Sequence, residues 1–488
     1  MPLSKTYDPK EIELKNYTEW ETGEFFSSKK STSEIAYTIV IPPPNVTGSL
    51  HMGHALNNTI QDILIRYKRM QGLKTLWQPG TDHAGIATQM VVERNINNEG
   101  ITKEVLGRKE FIKKIWEWKN LSGNLITNQL KRLGSSADWS RERFTMDDGL
   151  SKSVIKVFVD LYKDGLIYKD NRLVNWDPKL LTAISDLEVE NREVDGNLWY
   201  IKYQIDESKD FITIATTRPE TLLGDTAIAV NPKDSRFKGL IGKYAILPII
   251  EKKIKIIADD YVDPDNGSGA LKVTPAHDFN DFEIGKRHKL DIINIFDEFA
   301  VLNENCPKEL QGLDRFEARK KIINYLSSSG LIDRVDKIKH TLPFGDRSGI
   351  IIEPRITDQW YVDAKVLAKP AIEAVTNGKV KFIPNNWSKT FFEWMNNIEP
   401  WCISRQLWWG HQIPAWYGPD GKIFVAENED ECKKQAKEFY SKEVELKRDE
   451  DVLDTWFSSG LWPFATLGWP EKTPEVEKFY PTSVLVTG

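Results

Sequence analysis

The sequence predicts an α/β protein in which a parallel-sheet domain is interrupted by a second, β-rich domain. Residues 35–41 (IAYTIVI) are an apolar run typical of a strand buried on both faces, and a helix-spaced segment and a second apolar run, residues 75–78, follow it. Strand, loop, helix and strand in this order predict a βαβ unit with parallel strands. From residue 191 the pattern changes to short β-type runs separated by turn signals, which predicts a compact, barrel-like or sandwich-like insertion.

The loop between the first strand and the helix, residues 42–54, reads PPPNVTGSLHMGH, and we call it the motif loop. After it, apolar residues recur at the spacing of an amphipathic helix that ends at Gly72: Leu56, Ile60, Ile63, Leu64 and Tyr67. In βαβ units, ligands bind at the carboxyl end of the strand beside the helix N-terminus. We therefore expect His51 and His54 to face an anionic ligand. The alternative is that these histidines only cap the helix.

Composition restricts the class of protein. A chain of 488 residues is long enough for two or three domains, and 28% charged with 40% hydrophobic residues is ordinary for a soluble globular protein. The net charge of −6 argues against a general nucleic-acid coat, although a local basic surface such as residues 103–119 remains compatible with a nucleic-acid partner. No apolar run approaches the roughly 20 residues of a membrane helix. The N-terminus lacks the apolar core of a signal peptide, so we expect a cytoplasmic protein without membrane contact.

Metal and disulfide chemistry are not predicted. Cys306, Cys402 and Cys432 lie far apart in sequence and form no CxxC pair, which argues against a zinc knuckle and a disulfide scaffold.

The pattern of apolar runs and turn signals divides the chain into four segments: an N-terminal extension (1–34), the first half of the parallel-sheet domain (35–190), the inserted domain (191–342) and the second part of the parallel-sheet domain (343–488).

The motif loop resembles the HIGH signature block of the class I aminoacyl-tRNA synthetases, in the form typical of the valyl enzymes. Further blocks of those enzymes recur in the same order: 80–94, 138–147, 216–232, 273–288, 403–418 and 451–470. The resemblance implies a Rossmann-like catalytic domain with an inserted editing domain. The chain departs from the family pattern because it has no KMSKS signature. We therefore expect an N-terminal fragment whose catalytic domain is incomplete at the C-terminus.

The resemblance implies ATP-dependent activation of valine to valyl-adenylate and transfer to tRNA(Val). ATP with Mg²⁺, valine and tRNA(Val) would be the partners of a monomer; zinc is not expected, because the cysteine pairs that bind it in some relatives are missing. Phosphoryl-type transfer depends on positioned donors and cations more than on covalent catalysis. His51, Gly53 and His54 are accordingly the implied catalytic residues, and with Thr47 they would bind ATP.

Four residues are implied for valine binding: Pro42, Asn45, Asp82 and Trp456. Asp82 would pair with the ammonium group of valine, while its alternative role is a helix N-cap. Asn45 and Thr47 would also hold the motif loop. Pro42 and Trp456 would form an apolar wall, although Trp456 could equally be a core residue.

The resemblance also implies a role for the inserted domain in distinguishing threonine from valine. Threonine carries a hydroxyl where valine has a methyl, and the valyl enzymes are the standard example of an apolar pocket that rejects such an isostere weakly and needs editing. The resemblance implies that threonyl-tRNA(Val) is hydrolysed by a site containing Thr216, Thr217, Arg218, Lys272, Thr274, Asp278 and Asp281. In this assignment Asp281 would hold the substrate ammonium group, Lys272 and Thr274 would bind the side-chain hydroxyl, and Arg218 would face the tRNA terminus. Without the family match, these residues would be read as a strand pair with a surface carboxylate.

Two rival functions remain. The missing KMSKS signature beside a complete insertion is compatible with a stand-alone editing hydrolase or a tRNA-binding module. Another nucleotidyltransferase with an HxGH motif is a third possibility, but it leaves the TTRPET block (216–221) and the PAHDFND block (275–281) unexplained.

Overall fold

The computed structural model describes residue 6 and residues 8–30 and 32–486. Parts of the predicted N-terminal extension (residues 1–5, 7 and 31) and the last two residues of the predicted final segment therefore lie outside the described residues. The chain forms two compact units: Met1–Tyr168 together with Val362–Gly488, and Lys169–Tyr361. The second unit extends beyond the predicted insertion, 191–342, because residues 169–190 and 343–361 also belong to it.

The helices are α1 (Pro9–Thr22), α2 (Met52–Met70), α3 (Gly85–Asn98), α4 (Lys103–Arg132), α5 (Asp148–Lys163), α6 (Phe279–His288), α7 (Arg315–Ser328), α8 (Ala364–Thr376), α9 (Trp387–Asn396), α10 (Glu429–Tyr440), α11 (Thr455–Ser459), α12 (Trp462–Ala465) and α13 (Pro474–Phe479). The strands are β1 (Ala36–Val40), β2 (Lys74–Gln78), β3 (Gly80–Thr81), β4 (Arg143–Phe144), β5 (Ile167–Asp177), β6 (Thr182–Ile184), β7 (Val189–Ile205), β8 (Phe211–Thr216), β9 (Ala227–Val230), β10 (Tyr244–Ile246), β11 (Lys253–Ala258), β12 (Ala270–Val273), β13 (Ile332–Gly345), β14 (Glu353–Val362), β15 (Trp401–Cys402), β16 (Ser404–Arg405), β17 (Ala415–Tyr417), β18 (Ile423–Val425), β19 (Lys447–Arg448) and β20 (Val452–Leu453).

Parallel strands organise the first unit. Strand β1 pairs with β2 along its whole length, and Ile39 makes a parallel bridge to Val484 on its other side. Strand β3, which follows β2 directly, pairs in parallel with β4. The order strand, motif loop, helix and parallel strand matches the sequence prediction, and the α/β fold class is confirmed.

Helix α2 forms as predicted, but the face it buries differs from the prediction. Its buried residues are Asn58, Gln61 and Ile65. The predicted apolar face is mostly exposed, with Leu56, Ile60, Ile63 and Tyr67 between 42% and 65% accessible. Gln61 is buried because its Oε1 accepts a 2.9 Å hydrogen bond from Trp77 Nε1 of β2. A satisfied polar contact therefore replaces the expected apolar one.

The second unit is β-rich, as predicted. Its seven-stranded sheet has the order β12-β9-β11-β10-β7-β13, with β8 also paired to β7. The pairs are antiparallel except β9 with β11. Strands β7 and β13 form a long ribbon in which Val189 lies opposite Gly345. The core between the sheet and α7 is mainly aliphatic and includes Ile201, Ile214, Ile228 and Ile322.

The described residues contain no helix that is both long and apolar enough to span a membrane.

Candidate functional site

The two histidines of the motif loop meet at the N-terminus of α2. His51 is the N-cap residue, and its Nδ1 accepts a 3.1 Å hydrogen bond from the backbone N–H of Gly53. The backbone N–H of His51 donates in turn to Nδ1 of His54, at 3.3 Å. The ring centroids are 4.0 Å apart. The histidines therefore do cap the helix, which was the alternative role considered for them.

Capping leaves both rings able to bind an anion. Because each Nδ1 accepts a hydrogen bond, the hydrogen-bond pattern assigns the proton of each neutral imidazole to Nε2. Burial, and then the neighbouring His51, lowers the pKa of His54, which favours that neutral form. Gly53 leaves room for this arrangement, since a Cβ there would lie 2.9 Å from Cε1 of His51. Two Nε2–H donors and the first amides of α2 form an arrangement suited to phosphate oxygens.

Helix α4 holds the motif loop, a role that the sequence analysis missed. Three of its side chains bind the loop backbone: Trp118 Nε1 donates to the Val46 carbonyl (2.7 Å), Ser122 Oγ donates to the Gly48 carbonyl (3.4 Å), and Gln129 Oε1 accepts from the Leu50 amide (2.8 Å). Positions 118, 122 and 129 share one face of a helix, so the spacing was a usable signal. Asn45 and Thr47, the residues predicted to hold the motif loop, are placed differently. Asn45 is exposed, and its backbone pairs with Asp82 in a parallel bridge, while the Thr47 amide donates to the Asn45 carbonyl at 2.8 Å.

Replacing Gln129 by alanine is expected to loosen the motif loop. The change removes the acceptor of the Leu50 amide, and a hydrogen bond of this kind contributes about 1 kcal/mol. Denaturant unfolding should show a loss of that order, and amide hydrogen exchange at Leu50 should accelerate. Asn128→Ala, at an exposed position of the same helix, is the control. Equal exchange rates at Leu50 in the two variants would contradict this role for Gln129.

Asp82 lies beside the motif loop in a buried setting. Its backbone N–H donates to the Pro44 carbonyl at 2.8 Å. Its carboxylate accepts from the Ala84 amide at 2.6 Å and from the Ser459 hydroxyl. The predicted alternative role as a helix N-cap is wrong, because Ala84 is the N-cap of α3. Burial raises the pKa of Asp82 to about 6, against the opposing effect of its two hydrogen bonds. A cationic ligand would offset the cost of burying this charge.

Replacing Asp82 by asparagine is expected to change how stability depends on pH. Because the folded-state pKa is about 6 and the unfolded value is about 3.9, the stability that Asp82 contributes is complete below pH 4 and is lost as pH rises through 6. Asparagine does not titrate. Between pH 4 and 7 the variant should therefore gain up to roughly 3 kcal/mol relative to the parent, measured by urea unfolding. Asp164→Asn, at an exposed position of the same unit, is the control. A pH-independent difference for Asp82→Asn would contradict the prediction.

The other two predicted valine-binding residues, Pro42 and Trp456, are not core residues. Pro42 is partly buried, and the Trp456 side chain is 62% exposed. Trp456 lies in α11, one turn before the Ser459 that binds Asp82. The alternative that Trp456 is a core residue is therefore wrong. Ser459 was not predicted, although it lies in the block that carries Trp456.

In the second unit, Lys272 and Thr274 meet a carboxylate that the sequence analysis did not single out. Asp225 Oδ1 lies 3.0 Å from Lys272 Nζ and accepts a 2.6 Å hydrogen bond from Thr274 Oγ1. Asp225 Oδ2 accepts a 2.7 Å bond from the Tyr203 hydroxyl, and Lys272 also donates to Thr274 Oγ1. Asp225 and Tyr203 are fully buried. One charged residue inside the mostly apolar run LLGDTAIAV was the available signal.

Asp281 joins this cluster through the backbone. Its Oδ2 accepts a 2.8 Å hydrogen bond from the Thr274 amide, and its side chain lies in the first turn of α6. Asp278 is the N-cap of that helix and accepts from the Asn280 and Asp281 amides. Burial, and then the charge of Asp278, raises the pKa of Asp281 to about 7. The description of Asp281 as a surface carboxylate is wrong, because it is only 6% exposed.

Thr216 ends β8, and the next two residues, Thr217 and Arg218, line a neighbouring cavity of about 520 Å³. Residues that line the cavity include Thr217, Arg218, His277, Asp278, Arg315 and Arg319. The Thr216 hydroxyl accepts from the Arg218 amide at 3.0 Å. The Arg218 guanidinium donates to the His277 carbonyl, Glu220 and Glu353. Burial acts to lower the pKa of Arg218, but the two glutamates outweigh it and leave this pKa above its ordinary value.

The structure therefore brings the seven predicted editing residues into two adjoining groups in one unit. The chain between Thr274 and Asp278 joins the groups, since the His277 amide donates to the Thr274 carbonyl at 3.0 Å. Within the described part of the chain, no group of three or more His, Cys, Asp or Glu side chains is arranged to hold a metal ion.

Comparisons with known proteins show the family to which the chain belongs. The chain is 65% identical to a "Valine--tRNA ligase" of Pelagibacter ubique over 98% of its length, which is 54% of that relative. It is 57% identical over its full length to the enzyme of the same name from Mesorhizobium japonicum, covering 57% of that relative. The chain thus spans about half the length of the curated relatives it matches. The family model of the tRNA synthetases class I (I, L, M and V) matches residues 15–488. The chain has the histidine-capped helix and the inserted β-rich unit, and the family match shows that it belongs to the class I tRNA synthetases.

Proposed function

We propose that this chain carries the amino-acid activation site and the editing site of a valine–tRNA ligase. In this proposal ATP, accompanied by Mg²⁺, activates valine to valyl-adenylate, and tRNA(Val) receives the valyl group. The second unit hydrolyses threonyl-tRNA(Val). The observation that carries the proposal is the identity of 65% along 98% of the chain to a relative named for this reaction.

The motif loop supports the activation half of the proposal. His51 and His54 lie at the α2 N-terminus with each Nδ1 accepting a backbone hydrogen bond, which leaves each Nε2–H as the donor for the phosphates of ATP. Developing negative charge during attack by the valine carboxylate would be stabilised by these donors without any movement of the rings. Asp82 would pair with the ammonium group of valine, with Pro42, Asn45 and Trp456 around the amino acid and Thr47 near ATP.

The Lys272–Thr274–Asp281 group supports the editing half. An aminoacyl ester can be hydrolysed by a positioned water without a covalent intermediate, because its electron-withdrawing α-ammonium group activates the ester carbonyl. The water adds to the ester carbonyl, and threonine and uncharged tRNA(Val) leave. Asp281 would bind the ammonium group of the substrate. Lys272 and Thr274 would bind its hydroxyl, and Arg218, with Thr216, Thr217 and Asp278, would line the approach of the tRNA terminus.

Valine-dependent ATP–pyrophosphate exchange tests the activation half. We expect exchange with valine and much less with isoleucine or leucine in a full-length ligase that contains this chain, and loss of exchange in His51→Ala and His54→Ala. Exchange driven by isoleucine or leucine but not valine would overturn the amino-acid assignment. The 488-residue chain measured beside it reports what this part does alone.

A second candidate function is a stand-alone editing hydrolase. It is favoured because the predicted editing residues contact one another within a single compact unit. Incubating the 488-residue chain with threonyl-tRNA(Val) and valyl-tRNA(Val) tests the editing half in both candidates. We expect selective deacylation of the threonyl ester. Equal rates for the two esters would overturn editing. Deacylation without any valine-dependent exchange in a longer chain would favour the hydrolase.

A further inference from the structure

Asp82 is a buried carboxylate that pairs with no Lys or Arg of the described residues. Its side chain is 4% exposed, and its Oδ1 lies 3.6 Å from Nδ1 of His83. Burial lowers the pKa of His83 to about 3, so this ring is neutral and does not offset the charge. The carboxylate is held instead by hydrogen bonds from the Ala84 amide to Oδ1 and from the Ser459 hydroxyl to Oδ2.

The two hydrogen bonds fix the Asp82 carboxylate at different oxygens. The Ala84 amide is two residues away, and a local bond of this kind is that of an Asx-type turn. Alone it leaves the plane of the carboxylate free to turn, because the terminal torsion of aspartate is broad. Ser459 holds the second oxygen from 377 residues away and thereby fixes the plane. Each oxygen keeps a further acceptor site, and these sites have a set direction for the N–H donors of an ammonium group.

Helix α11 holds Ser459 in place. Thr455 and Ser459 lie four residues apart on this helix and therefore share a face. Thr455 Oγ1 accepts a 2.9 Å hydrogen bond from the Gly85 amide, an approach that glycine permits, since a Cβ at this position would lie 2.9 Å from the same oxygen. At the start of the helix, Asp454 forms a buried ion pair with Arg405. The helix is thus anchored, and it contacts the start of α3 and the residues before it at two points.

We propose that Ser459 is a positioning residue of the amino-acid activation site, which orients the Asp82 carboxylate to bind the ammonium group of valine. This inference rests on the proposed activation function. Ser459 acts through Asp82 and is not itself a catalytic residue. The same helix carries Trp456, so one element places both the ammonium-binding carboxylate and the apolar wall for the same substrate.

The test is valine-dependent ATP–pyrophosphate exchange by a full-length ligase that contains this chain, with KM measured separately for valine and for ATP. In Ser459→Ala we expect KM for valine to rise about tenfold and KM for ATP to change less than about twofold, as for the loss of one hydrogen bond to a charged group. Ser459→Thr keeps a hydroxyl and should stay within about threefold of the parent. The control is Ser458→Ala, because the Ser458 hydroxyl donates to the Thr455 carbonyl of its own helix at 2.8 Å. It should leave KM for valine unchanged.

The pH profile of kcat/KM for valine separates orientation of Asp82 from a general loss of structure. The Ser459 hydrogen bond favours the charged carboxylate, so its removal raises the pKa of Asp82. The low-pH limb should therefore move upward by about one pH unit in Ser459→Ala. The other ionisable side chains of the site and of the elements around Asp82 are the same in parent and variant: His51, His54, His83, His411, Asp454 and Arg405. The difference between the two profiles thus reports Asp82.

The inference is overturned if the parent exchanges with valine and Ser459→Ala keeps KM for valine within about twofold and the low-pH limb unmoved. It is also overturned if KM for ATP, or KM for valine in Ser458→Ala, rises equally; in these cases the proposed function stands. Absence of valine-dependent exchange in the parent overturns the inference and the activation function together. Should Ser459→Ala fail to fold, Ser459→Cys, which keeps the shape and donates only weakly, decides by the same two readouts.

Discussion

Threonyl-ester hydrolysis is expected to fall roughly 10²- to 10³-fold in kcat/KM when Asp281 is replaced by alanine. Asp281 is only 6% exposed, and in the proposed function its charge pairs with the ammonium group of the substrate. Removing one partner of a buried charge pair costs about 2–5 kcal/mol, and each 1.4 kcal/mol is a factor of ten. The measurement is deacylation of threonyl-tRNA(Val) under single-turnover conditions.

Two further variants distinguish the loss of the Asp281 charge from a local disturbance of the fold. Alanine also leaves the Thr274 amide without its acceptor, so Asp281→Ala can disturb the fold locally. Asp281→Asn retains an acceptor oxygen and loses only the charge, and we expect it to fold normally and hydrolyse as poorly as the alanine variant. Glu283→Ala removes an exposed carboxylate from the same helix and should leave the rate unchanged. A fully active Asp281→Asn variant would exclude the ammonium-binding role.

Replacing Glu353 by alanine is expected to destabilise the second unit by about 3–5 kcal/mol. The Glu353 carboxylate is 3% exposed and pairs with two guanidiniums, Arg218 and, at 2.7 Å, Arg315. Without it, both guanidiniums lose a buried counter-ion while their desolvation cost remains. The free energy of unfolding, measured by urea titration of the 488-residue chain, reports the loss.

The control for Glu353 is an ion pair of the same type at the surface. Glu190 pairs with Arg192 on the exposed ribbon strand β7, and Glu190→Ala should cost no more than about 1 kcal/mol. Glu353→Gln keeps an acceptor oxygen, so its loss of unfolding free energy should lie between those of Glu353→Ala and Glu190→Ala. Because Arg218 lines the cavity, Glu353→Ala should also slow threonyl-ester hydrolysis. A loss of stability no greater than that of Glu190→Ala would show that Glu353 does not stabilise this group.

Local sequence determined the order of elements and the motif positions. The apolar run at residues 35–41, the motif loop and the helix after it predicted strand, loop and helix because each pattern follows from backbone geometry and burial over a few residues. Short β-type runs predicted the β-rich unit for the same reason. Family blocks then indicated which polar residues belong to a site, and the structure brings Lys272, Thr274 and Asp281 together.

Only the tertiary structure decided which faces are buried and which groups are paired. Helix α2 buries Gln61 and exposes Leu56 because Trp77, on a neighbouring strand, supplies the hydrogen bond that Gln61 needs. Asp225 becomes the centre of a buried cluster because β9 and β12 pair and bring it to Lys272, 47 residues away. Hydrophobic periodicity records which residues are apolar along one segment. It does not record which distant donor will satisfy a buried polar atom, and that partner decides the chemistry of both sites.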